Sequence, residues 1–348
     1  MVGNNIKKYR IRNKISLRKL GEILNVSHTT ISKYESGEII PNSTILIQLA
    51  KVFNIKVAEL FKNFEDTLVI KEIHYRKKSN LGKRNQEVIE DITKEELKKY
   101  LEVMDLFPEG RFEIIDLEKF RVEITDYEEI ENKVMEIREK LNLGIDPISN
   151  LLEVIEELGL IVIFIDSVNG FDGKEGLVNE RPFIVLANDK SGDRQRNSLA
   201  HELGHLLIKH ENLDDEKVAN YFAGAFLIPK DSLLKDLGKK RSTLTVFELK
   251  KLKEKYKVSM QSIIYRAWQL NIISETEKTN LFKQLSRLGY RKVEPIDIEI
   301  EKSNKFEQML CEAVTEGYLS ESKAAEYLNI KTIEFMERYM GSGIDGNN

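Results

Sequence analysis

The sequence predicts a mainly α fold with a small β-sheet (α+β), and three observations predict it. Apolar residues recur at three- and four-residue spacing over most of the chain, the signature of amphipathic helices. Two short apolar runs, Leu160 to Ile165 and Phe183 to Ala187, are flanked by glycines and polar residues and read as strands. With 348 residues and 41% apolar content, the chain is long enough for two or three domains with cores of their own.

Composition narrows the setting. The single cysteine, Cys311, excludes an intramolecular disulfide and a thiolate zinc cluster. The first residues lack the apolar stretch of a signal peptide, and the longest apolar run is far too short to span a bilayer, so a soluble, cytoplasmic protein with no membrane partner is expected. The net charge of −4 is unevenly spread: residues 1–61 hold ten Lys/Arg against four Asp/Glu, and residues 87–131 hold six against sixteen. A basic head on an acidic body points to nucleic acid as the partner of the head.

Residues 1–65 read as a five-helix domain. Ile6, Tyr9 and Ile11 begin a helix, Ser16 caps a second carrying Leu17, Leu20, Ile23 and Leu24, and Asn25-Val26 turns the chain before Ser27 caps a third. Ile31 and Tyr34 anchor that third helix, leaving Ser27, His28, Thr29, Thr30 and Lys33 as candidate contacts to a DNA major groove. Two more helices follow Gly37, Pro41 and Asn42. Ile31-Ser32-x-Tyr34-Glu35-x-Gly37 and Pro41 resemble the Cro/C1-type (XRE) helix-turn-helix domain. The chain departs from that family in having Leu17 where many members carry a glutamine, which removes one phosphate-facing amide.

Residues 66–123 read as a connector: a β-prone stretch from Leu68 to Tyr75, a basic run Arg76-Lys77-Lys78, and an acidic amphipathic helix from Glu87 to Asp105. Residues 124–235 form the next segment. Val134, Ile137 and Leu141 mark a helix ending at Gly144, Pro147 starts another through Ile148, Leu151 and Ile155, and the two strands follow, with Gly170, Gly173 and Gly176 read as turns between them. Residues 236–340 are a helical C-terminal region, in which Ser259 caps a helix carrying Ile263, Ala267 and Trp268, and Gly341 to Asn348 is an expected frayed end.

The chemistry is carried by Ser198 to Pro229. In His201-Glu202-Leu203-Gly204-His205 the two histidines stand one helical turn apart on one face, able to bind one metal ion, with Glu202 beside them to take a proton from water. Leu199, Leu203, Leu206 and Leu207 bury the rest of that helix. On a second helix, Glu216 could complete a His2Glu set and Asn220 could orient a ligand histidine. His210 is five residues past His205 and turned off the metal face.

Arg194 to Ala200 before the motif, then Glu216-x-x-Ala219-Asn220-x-Phe222-Ala223 and Leu227-Ile228-Pro229, resemble the ImmA/IrrE family of zinc metallopeptidases. The resemblance implies a zincin-like domain with His201, His205 and Glu216 as Zn²⁺ ligands, Glu202 as general base, and a helix-turn-helix repressor as the substrate class. The stretches Ser286 to Pro295 and Ser320 to Leu328 also resemble the tails of long family members. Tyr221 and Arg196 are the candidate second oxyanion donors, by proximity in sequence alone. An extended peptide adding to the sheet edge is the expected mode of substrate binding, and the connector around Arg76 to Lys83 is the candidate cut site.

The expected function is therefore a DNA-binding transcriptional regulator fused to a zinc-dependent endopeptidase. Its expected partners are double-stranded DNA, a repressor-type protein substrate and, as a candidate, a second copy of the chain in a homodimer. The rival reading is a transcription factor whose HExxH domain is a non-catalytic sensor or structural body.

Overall fold

Short capped segments build the N-terminal helices. The computed structural model describes residues 2–13, 15–61, 70–75, 82–108, 110–112, 116–166, 168 and 170–341, with the backbone alone for residues 4, 8, 11, 12 and 71–75. Helices α1 (Val2–Arg12), α2 (Leu17–Leu24), α3 (His28–Ser36) and α4 (Ser43–Phe53) are followed by a 3₁₀ helix at Val57–Phe61, where the sequence predicts a fifth α-helix. Ser16, Ser27 and Asn42 accept hydrogen bonds from the N–H groups of Lys19, Thr30 and Ile45, satisfying donors at the starts of α2, α3 and α4. Asn25, left-handed at φ 56°, ends α2. Gly21 permits the tight turn, because a Cβ there would stand 2.7 Å from the carbonyl oxygen of Val26. Ile6, Leu20, Ile31, Leu49 and Leu60 are fully buried together. Arg10 donates to both carboxylate oxygens of Glu35, at 2.5 and 2.9 Å, tying α1 to α3.

The chain divides into two units, one of Met1–Val69, Lys77–Lys98 and Val168–Gly170, the other of Ile70–Arg76, Lys99–Ser167 and Phe171–Asn348. The stretch expected as a connector is thus shared between them. Its extended part is β1 (Ile70–Tyr75), and its acidic helix is α5 (Lys83–Met104). Leu68, Val69, the Arg76-Lys77-Lys78 run and most of the candidate cut site lie outside the described residues, as do residues 342–348.

In the second unit, β2 (Val122–Glu123) precedes α6 (Ile130–Lys140) and α7 (Leu151–Glu157), and then β3 (Ile161–Ile165), β4 (Gly173–Val178) and β5 (Arg181–Ala187) form a sheet with β1. The order is β1-β4-β5-β3; β4 runs antiparallel to both its neighbours, and β3 runs parallel to β5. The sequence missed β4, because Gly173 and Gly176 read as turns and lie in a strand; Gly170, at φ 88°, is in a turn as expected. Helix α7 also starts later than predicted. Its N-cap is Asn150, accepting from Glu153, and the carbonyl of Ile148 is held by Arg196, so residues 147–149 stay outside the helix.

Helix α8 (Gly192–Leu207) carries the HExxH motif, β6 (Ile208–Lys209) pairs parallel with β2, and α9 (Asp215–Leu227) packs back on α8. Among the described residues seven α-helices follow, α10 (Lys230–Leu237), α11 (Val246–Tyr256), α12 (Met260–Gln269), α13 (Glu275–Arg287), α14 (Lys305–Thr315), α15 (Glu321–Tyr327) and α16 (Thr332–Phe335), the last running into a π-helical turn at Met336–Met340. Ser259 caps α12 as expected, and Thr245 with Glu248 forms a capping box on α11. One core runs through α6 to α9, the sheet and α11 to α13, including Leu203, Phe222, Phe226, Ile263 and Leu285. No described helix is long and apolar enough to cross a membrane.

Candidate metal centre and nucleic-acid interface

Rigid placement of α8 comes first, because ligands are only as precise as the helix that bears them. The extended chain around Ile298 to Glu301 lies along its first turns. Gln195 exchanges two hydrogen bonds of 3.0 Å with the main chain of Glu301. The Glu301 carboxylate binds the guanidinium of Arg196 and also accepts the N–H groups of Leu151 and Leu152 at 3.0 and 2.9 Å, opening α7. A Cβ on Gly192 would run into the carbonyls of Ile298 and Glu299. Deeper in the helix, a Cβ on Gly204 would stand 2.9 Å from the Phe222 ring, so this glycine sets how closely α9 approaches.

That approach brings three donors together. The Nε2 atoms of His201 and His205 are 3.1 Å apart, and the Glu216 carboxylate oxygens lie 3.6 Å from His201 Nε2 and 4.0 Å from His205 Nε2. Donors about 2.0–2.1 Å from one tetrahedral ion lie about 3.3 Å from each other, so this triangle fits a single small cation. Among the described residues it is the one cluster of His, Cys, Asp or Glu donors close enough to hold a metal. His201 is fully buried, whereas the Glu216 side chain is 43% exposed, leaving the site open to solvent on the α9 side.

The residues around the donors divide differently from the sequence expectation. Asn220 donates to the Glu216 carbonyl at 2.7 Å, along its own helix, and it is Asp215 that meets His205 Nδ1, at 3.3 Å. A carboxylate beside the far nitrogen favours the tautomer that leaves Nε2 free to bind a metal. The other oxygen of Asp215 lies 3.2 Å from His210 Nε2, which places His210 outside the donor triangle. Sequence reasoning passed over Asp215, although its place next to Glu216 in the first turn of α9 was the available signal.

Glu202 is 1% exposed, and its Oε1 would be 3.0 Å from a Cβ on Gly173. The glycine in β4 therefore makes room for the carboxylate, a second residue whose part the sequence left unread. On the reading of Glu202 as a general base, Gly173→Ala is expected to retain metal binding and lower turnover, by up to the roughly 10²-fold that a misplacement of about 1 Å carries. Metal content and peptide hydrolysis on the same sample check this, and full-rate turnover would contradict it.

Both candidate oxyanion donors already have partners of their own. Arg196 is buried against Glu301 and the Ile148 carbonyl; burial lowers its pKa from the ordinary value, with Glu301 acting against that shift. Tyr221 sits with Glu131 and Arg266, its pKa pushed up to about 12 by burial and the Glu131 charge.

At the N-terminal unit, α3 presents Ser27, His28, Thr29 and Lys33 to solvent, with Thr30 half-buried. The hydroxyls of Thr29 and Thr30 lie 2.6 and 2.8 Å from Ser27 Oγ, which pre-orients both, and Lys33 reaches Glu38 at 2.8 Å. An exposed pair of this kind is weak, so a phosphate can take Lys33 from Glu38.

Known families match both parts of the chain. Residues 6–60 match the helix-turn-helix family, and residues 155–267 match the IrrE N-terminal-like domain of the M78 peptidases. The HTH-type transcriptional regulator YgzD of Bacillus subtilis is 31% identical over 58 residues, 17% of this chain and 88% of that protein. The chain belongs to the helix-turn-helix regulators and carries an IrrE-like peptidase domain. The regulator is also 25% identical over 198 residues to a putative HTH-type transcriptional regulatory protein of Methanococcus vannielii, covering 57% of this chain and about half, 54%, of that one. The crystal structure of Bacillus thuringiensis PlcR in complex with the peptide PapR7 and DNA aligns over 98% of this chain and 81% of that one, at 14% identity and a TM-score of 0.20, too low to bear on the argument.

Proposed function

We propose that this regulator couples DNA binding by its head to a zinc-dependent endopeptidase that hydrolyses a peptide bond in a repressor-type protein. The observation that carries the reading is the triangle of His201, His205 and Glu216 donors on the helix that also buries Glu202. Two imidazoles and one carboxylate are the donor set of a catalytic zinc site, which keeps its fourth position for water or substrate. When bound, zinc makes water more acidic and polarises the scissile carbonyl. Glu202 takes the proton of the attacking water and delivers it to the leaving amine. Asp215 stands beside His205 Nδ1, and Gly173 lets the Glu202 carboxylate keep its place beside β4.

The resemblance of the body to its family and the head this chain carries support that substrate class. A second copy of the chain carries such a repressor-like head and serves as the test substrate. Zinc-loaded active protein incubated with the Glu202→Gln chain is expected to release fragments ending between Arg76 and Lys83, seen by mass spectrometry. An intact Glu202→Gln chain alongside hydrolysis of unrelated peptides would contradict the choice of substrate.

For the head, the full chain is expected to bind duplex DNA with an affinity that falls steeply as salt rises, because phosphate contacts release counterions. Thr29→Ala with Lys33→Ala should weaken binding to the preferred site by about 1–3 kcal/mol and flatten the salt slope, as loss of one base-edge and one phosphate contact does. Salt-independent binding, or equal affinity in the double variant, would count against α3 as the reading helix.

A further inference from the structure

The strand β4 stands beside Glu202, runs antiparallel to β5, and would be the edge of the sheet but for β1. The covering strand is the segment of chain that follows the helix-turn-helix unit in sequence. It lies antiparallel to β4, pairing Ile70 with Val178 and Lys71 with Leu177, then, after a bulge of one residue on the β1 side, His74 with Glu175 and Tyr75 with Lys174. Its direction has a consequence. The C-terminal end of β1 arrives at Lys174, next to Gly173, the residue against which the Glu202 carboxylate rests.

A peptide bound for hydrolysis must present its backbone to the reacting groups in an extended form, and adding to a sheet edge is the general way to hold it so. On this sheet the β4 edge beside Glu202 is the edge that would serve, and β1 already uses its hydrogen-bonding groups. The bulge between Lys71 and His74 breaks the ladder in the middle, which makes this pairing less regular than the five consecutive partners of β3 and β5. We propose that β1 is a resident strand on the substrate-binding edge, so that a substrate strand enters only by displacing residues 70–75 from β4. The purpose of the edge rests on the peptidase reading above; its occupancy by β1 does not. Substrate entry then frees the strand that follows the head in sequence.

The test reads binding in the full-length, zinc-loaded Glu202→Gln chain, so an inactive peptidase does not count against it. A fluorescent peptide with the sequence of residues 66–77 is titrated into that chain and into the same chain carrying Lys71→Pro and His74→Pro, since proline cannot donate to the ladder. The weakened β1 should raise peptide affinity by tenfold or more. Equal affinity in a variant with native circular dichroism would overturn the proposal. Hydrogen exchange gives a second measurement in which β1 is not mutated. Saturating peptide should strip protection from the amides of residues 70–75 while those of β5 keep theirs, and unchanged protection in β1 with peptide bound would equally overturn it.

Discussion

Glu202→Gln should bind zinc as the parent protein does and lose turnover by about 10³-fold or more. The argument is a division of labour along one helix. His201 and His205 direct their Nε2 atoms to a common point 3.1 Å apart, with Glu216 completing the triangle from α9, and Glu202 is none of the three donors. Glutamine keeps the shape of the side chain in a pocket where Gly173 leaves almost no spare room, so the ligand geometry is retained. What it removes is the capacity to accept and return a proton. General acid–base catalysis is typically worth about 10²–10⁴-fold, and here one group serves both transfers. Hydrolysis of the connector-containing substrate, with zinc measured on the same sample, checks this. Equal turnover in the two proteins would remove Glu202 from the chemistry.

Glu301→Ala should destabilise the second unit by about 3–5 kcal/mol, because it leaves the Arg196 guanidinium buried without its counter-charge. Arg196 is 1% exposed and Glu301 9%, so solvent cannot replace the lost partner. The same carboxylate accepts the N–H groups of Leu151 and Leu152, and its removal also leaves these two donors at the start of α7 without their acceptor. Glu301→Gln, which keeps an acceptor for those two groups, should be less damaging. Urea unfolding of the three proteins checks the order, and a loss below about 1 kcal/mol in Glu301→Ala would mean that Arg196 finds water or another partner.

The contrast between these two glutamates shows what was legible in the sequence. Glu202 was legible, since HExxH spacing translates directly into one face of one helix, and the leucines around it declare the buried side. The caps at Ser16, Ser27 and Ser259 were legible for the same reason: each depends on contacts within a few residues. Glu301 was not legible, being more than a hundred residues from Arg196, with nothing local to mark it as the joint between α7 and α8. Strand β4 was hidden by chemistry instead of distance. Gly173 looks like a turn residue, yet it is in a strand because Glu202 needs the space a Cβ would fill. The late start of α7 has a tertiary cause of the same kind, the Ile148 carbonyl being bound by Arg196. At the candidate metal centre the meeting of His201, His205 and Glu216 was legible from spacing and resemblance together, whereas Asp215 beside His205 emerged only from the way α9 lies against α8.

The central claim is that three named side chains hold one zinc ion, and zinc stoichiometry tests it most directly. Protein purified without added metal, then dialysed against limiting zinc, should hold one ion per chain, while His205→Ala and Glu216→Ala hold less than about a tenth of that, as loss of one of three protein ligands demands. Full occupancy in Glu216→Ala would contradict the account, since the triangle between α8 and α9 would then not be the metal site.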